Sequence, residues 1–298
     1  MLRIGLDLGG TKTEGIVINA AGKMLYRERR PTPQANGYDA ILKNIHALVS
    51  DLEKNAGQSC RVGIGTPGAI STRTGYLKNS NTVCLNGKPL KDDLEKILSR
   101  PIRLANDANC FALSEAADGA AQGARVVFGA ILGTGVGGGI VVDGRAIEGV
   151  NSIAGGWGHN SLPWPTPEEM PGPRCACGRE GCIEAFLSGP GLARDHRIAT
   201  GESREPADIV ARAEAGDRGA AGTLDRYEER LARALAAVIN LLDPEVMVLG
   251  GGMSNAARLY RNVPARWGRH VYSDTVVTRL VKAAHGDASG VRGAARLW

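Results

Sequence analysis

Apolar residues along the chain recur at two spacings, one typical of buried strands and one typical of amphipathic helices. Short apolar runs bounded by turn residues predict strands at 2–8, 13–19, 61–66 and 102–105. Apolar residues three and four positions apart predict helices at 38–54, 91–99 and 227–242. Strands that alternate with helices indicate an α/β fold with layered packing.

One stretch of this pattern occurs twice. Residues 8–19 (LGGTKTEGIVIN) align without gaps on residues 132–143 (LGTGVGGGIVVD), and each copy predicts a strand, a glycine-rich turn and a returning strand. Two interpretations stay open: two unrelated β-hairpins that look alike, or a duplicated domain whose hairpins face one another across a cleft. In the second case, both turns would present backbone N–H groups in one cleft, and such groups can donate hydrogen bonds to a polyphosphate.

The first turn carries groups that suit a phosphate ligand. Gly9 and Gly10 let the backbone come close to a phosphate, and Thr11 and Lys12 offer it a hydroxyl and a cation. Asp7 is placed to hold Mg²⁺ through water. Taken alone this pattern is weak, because many hairpins have Gly-Gly turns.

Two further glycine clusters extend this prediction. The turn at 133–139 has five glycines in seven positions, which is costly for a turn alone. The triple glycine at 250–252 ends an apolar run, where an adenine or ribose could lie flat against bare backbone. No GxxxxGK[ST] segment is present, so the pattern is not a Walker P-loop.

A polar cluster, NDAN at 106–109, directly follows a predicted strand. A carboxylate at Asp107 could take the proton of an attacking hydroxyl during phosphoryl transfer. An Asn-Asp pair equally suits an Asx turn or a helix N-cap, so both interpretations stay open.

Three cysteines within eight residues indicate a metal site. His159 together with Cys175, Cys177 and Cys182 matches a closed Cys₃His zinc site, structural rather than catalytic because no coordination position stays open. The alternative is three free cysteines and an unrelated histidine. The segment 163–173, with five prolines, predicts an irregular loop just before the cluster.

Composition narrows the function classes. The 298 residues are 43% hydrophobic and 22% charged, as in a folded globular protein, and they include 41 glycines. The net charge of +5 is scattered without a basic block, so neither nucleic acid nor a membrane is expected as a partner. No apolar run approaches the ~20 residues of a membrane span, and no signal pattern opens the chain, so a cytoplasmic location is expected.

Together these segments resemble the ROK family of sugar kinases and repressors, within the actin-like ATPase superfamily. The segments that carry the resemblance are DLGGTK at 7–12, GTPG at 65–68, NDAN at 106–109, GTGVGGG at 133–139, GH at 158–159, CACGREGCIE at 175–184, GGG at 250–252 and HGDASGVRGAA at 285–295. The resemblance implies a duplicated, two-domain α/β fold of the actin-like ATPase (ribonuclease H-like) type with a cleft between its lobes. It further implies a small lobe at 1–115 plus 285–298, a large lobe at 116–284 with the zinc loop, and a homodimer.

The reaction that this resemblance implies is transfer of phosphate from MgATP to the 6-hydroxyl of a hexose. Finer segments look like the fructokinases and mannokinases of the family, so fructose or mannose is the expected substrate: RPTP at 30–33, KNSNT at 78–82, LNG at 85–87 and WGHNSLPW at 157–164. The alternative substrates are N-acetylglucosamine and glucose.

Residue roles also follow from the resemblance. Asp107 is expected to be the general base, with the sugar bound by Gly68, Asn106, His159 and Glu184; His159 also ligates structural Zn²⁺. Expected nucleotide contacts are Asp7, Gly9, Gly10, Thr11, Lys12, Gly133, Thr134, Gly135, Gly250, Gly251 and Gly252.

One position departs from the family pattern. The family has a sugar-binding glutamate two residues before its Gly-His pair, where this chain has Gly156. Loss of such a charge-assisted hydrogen bond costs about 1.5–3 kcal/mol. Three alternatives follow from this change: the protein binds its sugar weakly, prefers a different sugar, or is an inactive sugar sensor. The intact Asp107 and Lys12 favour a kinase. The family's repressors carry a DNA-binding segment ahead of this part, and no such segment is expected before a strand predicted at residue 2.

Overall fold

The computed structural model describes all 298 residues and contains twelve strands and nine helices. The strands are β1 (Arg3–Leu8), β2 (Lys12–Ile18), β3 (Met24–Pro31), β4 (Arg61–Thr66), β5 (Ala69–Ile70), β6 (Leu77–Lys78), β7 (Ile102–Asn106), β8 (Val126–Leu132), β9 (Val136–Val142), β10 (Arg145–Ala146), β11 (Val246–Gly250) and β12 (Arg279–Lys282). The helices are α1 (Tyr38–Ala56), α2 (Leu90–Leu98), α3 (Asp107–Asp118), α4 (Ile183–Leu187), α5 (Gly189–Thr200), α6 (Pro206–Glu214), α7 (Arg218–Leu242), α8 (Leu259–Trp267) and α9 (Ser289–Ala295). None of these helices combines the length and the apolar character that crossing a membrane requires.

The chain forms two compact units. The first contains Met1–Gln122, Gly139–Ala154 and Asp287–Trp298, and the second contains Gly123–Gly138 and Gly155–Gly286. The lobe boundaries expected from the sequence stay a prediction; the main difference is that residues 139–154 belong to the first unit.

Two five-stranded sheets share one strand order. The first runs β3-β2-β1-β4-β7, with β1 antiparallel to β2 and parallel to β4. The second runs β10-β9-β8-β11-β12, with β11 parallel to both β8 and β12, and β9 carries the chain out of the second unit. An antiparallel hairpin followed by two parallel strands in each sheet favours a duplicated domain over a chance likeness of two hairpins.

The core of the first unit is built as the apolar spacing predicts. Ile41, Ile45, Leu48 and Leu52 of α1 are fully buried and pack in one apolar cluster with residues of β1 and β4. Gly57 ends α1 in the left-handed conformation that favours glycine. The predicted strand at 61–66 and the predicted helices at 38–54 and 91–99 agree with the structure to within two residues at each end.

The longest helix, α7, begins nine residues before its predicted start at Tyr227. Asp217 caps the helix by accepting a hydrogen bond from the Ala220 backbone N–H at 2.8 Å. Ala220 and Leu224 are fully buried, so tertiary packing supports this first part although its residues Gly219 and Gly222 favour helix weakly.

The final helix, α9, lies in the first unit and packs against β1, β4 and α3. Three glycines permit this approach. A Cβ on Gly5 would lie 2.1 Å from the Val291 carbonyl oxygen, one on Gly63 would lie 2.0 Å from that of Ala294, and one on Gly293 would lie 1.7 Å from that of Cys110. Because those neighbours are backbone atoms, a methyl group on any of these glycines would push α9 away from the strand or helix that it contacts.

Gly293→Ala is therefore expected to lower the free energy of unfolding by about 3 kcal/mol through overpacking. Urea denaturation followed by circular dichroism measures this change. Gly222→Ala in α7 is the matched control, since its nearest neighbour would be 3.8 Å away and the substitution should add about 0.4–1 kcal/mol. Equal effects of the two substitutions would show that α9 is not seated as described.

Candidate active site

The end of β7 and the start of α3 carry the candidate general base. Asn106 is the N-cap of α3, and its side-chain oxygen accepts a hydrogen bond from the Ala108 N–H at 3.0 Å. Its side-chain nitrogen donates to the Gly68 carbonyl oxygen at 3.0 Å. The structure thus brings together two of the predicted sugar-binding residues, and the capping role falls to Asn106 rather than to Asp107.

Asp107 is the first residue of α3, and its Oδ1 accepts a hydrogen bond from the Ala108 N–H at 2.8 Å. Burial raises the pKa of its carboxyl, although hydrogen bonds from the Ala108 backbone and the Asn106 side chain act in the opposite direction. A carboxylate with a raised pKa is a better proton acceptor than an exposed aspartate. The environment of Asp107 therefore suits general-base chemistry.

Asp7 near the end of β1 is the second carboxyl of the first unit whose pKa is raised. Burial raises its pKa to about 6, helped by the negative charges of Asp107 and Glu14, while Lys12 opposes the shift. A carboxyl whose pKa is raised by burial and by a second carboxylate is frequent in functional sites. Asp7 and Asp107 were both predicted from the sequence, and the structure couples them electrostatically.

The shift of Asp7 has a consequence for stability. Its pKa is about 6 in the folded state and 3.8 as the reference value, so the folded state binds this proton more tightly. Below about pH 4 both states hold the proton, and as the pH rises to about 6 the folded state loses stability, by about 3 kcal/mol in total.

Asp7→Asn should therefore raise the melting temperature above pH 6 and have little effect near pH 4. Thermal unfolding of both proteins between pH 4 and 8 checks this dependence. Asp39→Asn, an exposed aspartate in the first turn of α1, is the control and should show no such growth with pH. A constant difference between Asp7→Asn and the parent protein across this range would contradict the shift.

The turn between β1 and β2 is held by hydrogen bonds that leave its polar side chains exposed. The Gly9 N–H donates to the Lys12 carbonyl oxygen at 3.0 Å, and the Thr32 hydroxyl donates to the Gly9 carbonyl oxygen at 2.7 Å. The side chains of Thr11 and Lys12 are exposed. Gly10 comes close to Thr82, whose hydroxyl would lie 3.3 Å from an added Cβ.

In the second unit, the turn at 133–135 opens onto a cavity of about 830 Å³. Gly133, Thr134 and Gly252 line it, which joins two of the predicted nucleotide-binding segments. Apolar and small residues from three helices or turns supply much of the remaining wall: Pro190, Ala193, Pro206, Ala207, Val210 and Met253. A bare glycine edge beside an apolar wall is suited to a planar heterocycle such as adenine.

Of the predicted nucleotide contacts in the second unit, three do not line this cavity: Gly135, Gly250 and Gly251. Gly251 has φ +78°, and a Cβ there would lie 2.5 Å from the Leu132 carbonyl oxygen, so glycine allows β11 to end against β8. A Cβ on Gly135 would lie 2.9 Å from Glu184 Oε2. Packing thus requires glycine at Gly251, whereas a side chain at Gly135 would require the Glu184 carboxylate to shift.

The wall formed by α5 and α6 was not predicted. Both helices begin with proline in their first turn, Pro190 and Pro206, which is a recognised start signal. That signal marks a helix but carries no information about a ligand.

The four predicted metal ligands converge. One ligand atom from each of His159, Cys175, Cys177 and Cys182 lies within 4.8 Å of all the others. Cys177 Sγ is 3.6 Å from Cys182 Sγ, and Cys175 Sγ is 3.7 Å from His159 Nδ1. A tetrahedral site with Zn–S bonds of about 2.3 Å separates its sulfurs by about 3.8 Å. The donor set and its spacing therefore fit a structural Zn²⁺.

Glu184, at the start of α4, links this cluster to the glycine-rich turn. Its Oε2 accepts a hydrogen bond from the Val136 N–H at 2.9 Å, and its Oε1 lies 3.5 Å from Cys175 Sγ. The predicted role of Glu184 as a sugar ligand stays a prediction. The structure adds a second role, since the carboxylate holds the backbone that follows Gly135.

A buried ionic cluster, absent from the sequence-based expectations, anchors the proline-rich loop. Glu169 binds Arg230 and Arg233 of α7, each at 2.8 Å, and Arg233 also donates to the carbonyl oxygens of Pro163 and Trp164. Burial alone would raise the pKa of Glu169, but hydrogen bonds from the two arginines lower it to about 2. The loop that precedes the cysteines is therefore fixed to α7.

The segment around Gly156 is fixed by contacts of the two residues that follow Gly156, Trp157 and Gly158. The buried Trp157 donates from Nε1 to the Gly137 carbonyl oxygen at 3.1 Å and packs edge-on against Phe128. A Cβ on Gly158 would lie 2.1 Å from the Val136 carbonyl oxygen. Gly156 is exposed, and its φ of −70° lies outside the left-handed region that favours glycine.

Comparison with known proteins identifies the family to which the chain belongs. The ROK family model matches residues 3–298. An N-acetyl-D-glucosamine kinase of Aliivibrio salmonicida is 40% identical over 297 residues, covering 98% of both chains. Among solved structures, a ROK hexokinase from Thermus thermophilus is 33% identical with a TM-score of 0.86, covering 99% of this chain and 97% of its own. A ROK family glucokinase from Streptomyces griseus, solved with glucose and AMPPNP, is 28% identical with a TM-score of 0.80, covering 100% and 99%. The chain therefore belongs to the ROK family of sugar kinases and has their actin-like ATPase fold.

Proposed function

We propose that this protein transfers the γ-phosphoryl group of ATP to the 6-hydroxyl of a hexose, with N-acetylglucosamine as the first candidate. The observation that carries the proposal is Asp107, which begins α3 with a raised pKa and whose negative charge helps to raise the pKa of Asp7. A base next to a glycine turn that suits phosphate is the arrangement that phosphoryl transfer from ATP to a hydroxyl needs.

In this proposal the first unit activates the sugar hydroxyl. Asp107 accepts the hydroxyl proton, and Asn106 and Gly68, already joined by a hydrogen bond, contact the sugar. The turn at Gly9–Lys12 offers backbone N–H groups, the Thr11 hydroxyl and the Lys12 cation to the phosphates. Asp7 would hold Mg²⁺ through water, and the ion would supply charge neutralisation at the transferred phosphoryl group.

The second unit binds the nucleotide. Gly133 and Thr134 contact phosphate, and the cavity beside them, with Gly252 on its wall, accepts the adenosine. A structural Zn²⁺ would be held by His159, Cys175, Cys177 and Cys182, and this ligation would fix the loop and orient His159 toward the sugar. Glu184 accepts a sugar hydroxyl with the same carboxylate that holds Val136.

The choice of hexose rests on two separate observations. The named relatives at about 40% identity are N-acetyl-D-glucosamine kinases, which supports N-acetylglucosamine. The segments 30–33, 78–82 and 157–164 look like fructokinases and mannokinases, which keeps fructose or mannose as the second candidate. A homodimer and a cytoplasmic location, implied by the family resemblance, belong to the same proposal.

The test is ADP release from MgATP with N-acetylglucosamine, fructose, mannose and glucose in turn. We expect the highest kcat/KM with N-acetylglucosamine and only background hydrolysis without sugar. A higher kcat/KM for fructose or mannose would select the second candidate. Background ADP release with all four sugars would contradict the kinase and favour a sugar sensor.

Gly156→Glu is expected to lower the KM for the preferred sugar by about tenfold to a hundredfold, through a charge-assisted hydrogen bond of about 1.5–3 kcal/mol. Gly156 is exposed and its φ is negative, so a side chain there meets no left-handed backbone strain. Steady-state ADP release measures the change. Gly268→Glu is the control, because Gly268 is exposed with φ −54° and has open space around it. An unchanged or higher KM would contradict the prediction.

A further inference from the structure

A cavity of about 760 Å³ lies in the first unit, in addition to the cavity already described in the second unit. None of the residues predicted to bind the sugar or the nucleotide lines it. It lies at β7, the edge strand of the first sheet, where Ile102, Arg103 and Leu104 form one wall. Further walls are formed by residues 144–146, which include β10, and by residues 296–298.

The charged side chains around this cavity are mostly cations. Lys91, Arg103, Arg145 and Arg296 line it, and Glu148 is the one carboxylate side chain among the lining residues. Thr72 and Ser152 add hydroxyl groups. Guanidinium groups, a lysine and hydroxyls are the donors that proteins use to bind phosphate.

Arg296 keeps donor capacity despite an ion pair. It shares the carboxylate of Asp118 with Arg292, so two guanidinium groups face one negative charge. Its Nε is buried without a hydrogen-bond partner. The same neighbourhood lowers the pKa of Arg3, through burial first and then through the positive charges of Arg296 and Arg61. The shared Asp118 carboxylate and the effect of Arg296 and Arg61 on Arg3 indicate an excess of positive charge.

The wall that carries Arg103 is rigidly held. Its guanidinium lies 4.5 Å from the centre of the Trp298 ring, and that of Arg61 lies 5.2 Å from the same ring. Trp298 also donates from Nε1 to the Val62 carbonyl oxygen at 2.8 Å. A cation fixed before a ligand arrives loses little conformational entropy on binding.

We infer that this cavity binds a small phosphate-bearing anion, held by Arg145, Arg103 and Lys91. The shared chemistry is a phosphate dianion, supplied either by free phosphate or by a sugar phosphate monoester. Glu148 favours the monoester, because its carboxylate accepts hydrogen bonds from sugar hydroxyls but repels a bare anion. Leu113 of α3 also lines the cavity, so the occupant would lie against the helix that begins at Asp107.

The test is isothermal titration calorimetry of the full chain with inorganic phosphate, glucose 6-phosphate and N-acetylglucosamine 6-phosphate. A non-hydrolysable ATP analogue and Mg²⁺ are present throughout to occupy the candidate nucleotide site. We expect saturable binding that weakens with added salt, and at least tenfold weaker binding in Arg145→Glu and in Lys91→Glu. Lys43→Glu, an exposed lysine of α1 with the same change in charge, should stay within twofold of the parent protein.

Sugar phosphates that bind at least tenfold more tightly than inorganic phosphate identify a monoester site, and equal affinities identify a free-phosphate site. No saturable binding overturns the inference. Equal weakening in Arg145→Glu and Lys43→Glu overturns it as well, because net charge alone would then explain the effect. Since binding is read directly and the variants lie outside the candidate active site, failure of the proposed kinase activity would leave this result interpretable.

Discussion

Asp107→Asn is expected to reduce kcat for sugar phosphorylation by about 10²- to 10⁴-fold, the range that a positioned general base contributes. The amide keeps an oxygen that accepts the Ala108 N–H bond, so α3 should begin at the same place. An amide does not take up the hydroxyl proton. The KM for the sugar should therefore change by less than about threefold, since the loss lies in the transition state.

ADP release gives kcat, and calorimetric titration with sugar gives binding separately. Asp39→Asn is the matched control, an exposed aspartate in the first turn of another helix, α1, and it should retain full activity. A kcat within a few-fold of the parent protein would remove Asp107 from the role of base. Loss of sugar binding together with kcat would assign it to binding instead.

Cys182→Ser is expected to remove bound zinc and to lower the melting temperature by about 10 °C, since loss of a structural metal is among the few single changes that cost about 4 kcal/mol or more. Cys182 is 1% exposed and directly precedes α4. The Ile183 N–H donates to the Asn160 carbonyl oxygen at 2.9 Å, so the chain next to Cys182 is tied to the segment that holds His159. Elemental analysis measures the metal, and thermal unfolding measures the stability.

Cys84→Ser is the control, because Cys84 is a partly buried free cysteine outside the cluster. It should keep about one zinc per chain. A strong chelator should destabilise the parent protein and Cys84→Ser alike and leave Cys182→Ser unchanged. A parent protein that contains no zinc, or a Cys182→Ser variant that keeps it, would contradict the metal assignment.

The local sequence pattern was sufficient to predict a helix or strand where one face of the element is apolar and a glycine or a capping residue marks its ends. The hairpin repeat is the clearest case, since residues 8–19 and 132–143 both fold as strand, turn and strand. The metal ligands were predictable for a similar reason, because three of the four lie within eight residues and only His159 had to come from elsewhere.

Features that depend on distant partners were not predictable. Strand β3 is largely exposed and rich in charge, and two of its arginines, Arg27 and Arg29, bind the buried Glu14 of β2. A polar strand of this kind has no alternating apolar signal. The Glu169–Arg233 contact joins residues 64 positions apart, so no local spacing reveals it.

The seating of α9 bears on how the chain acquires its structure during synthesis. The first unit takes its sheet from the opening third of the sequence, yet α9, which covers that sheet through Gly5 and Gly63, comes from residues 289–295. A ribosome that builds the chain from its N-terminus exposes those strands long before their cover exists. The second unit, complete at residue 286, has all its residues earlier than the first. Folding of the first unit is therefore expected to finish only after α9 has been synthesised, and its early strands depend on chaperones or on delay until then.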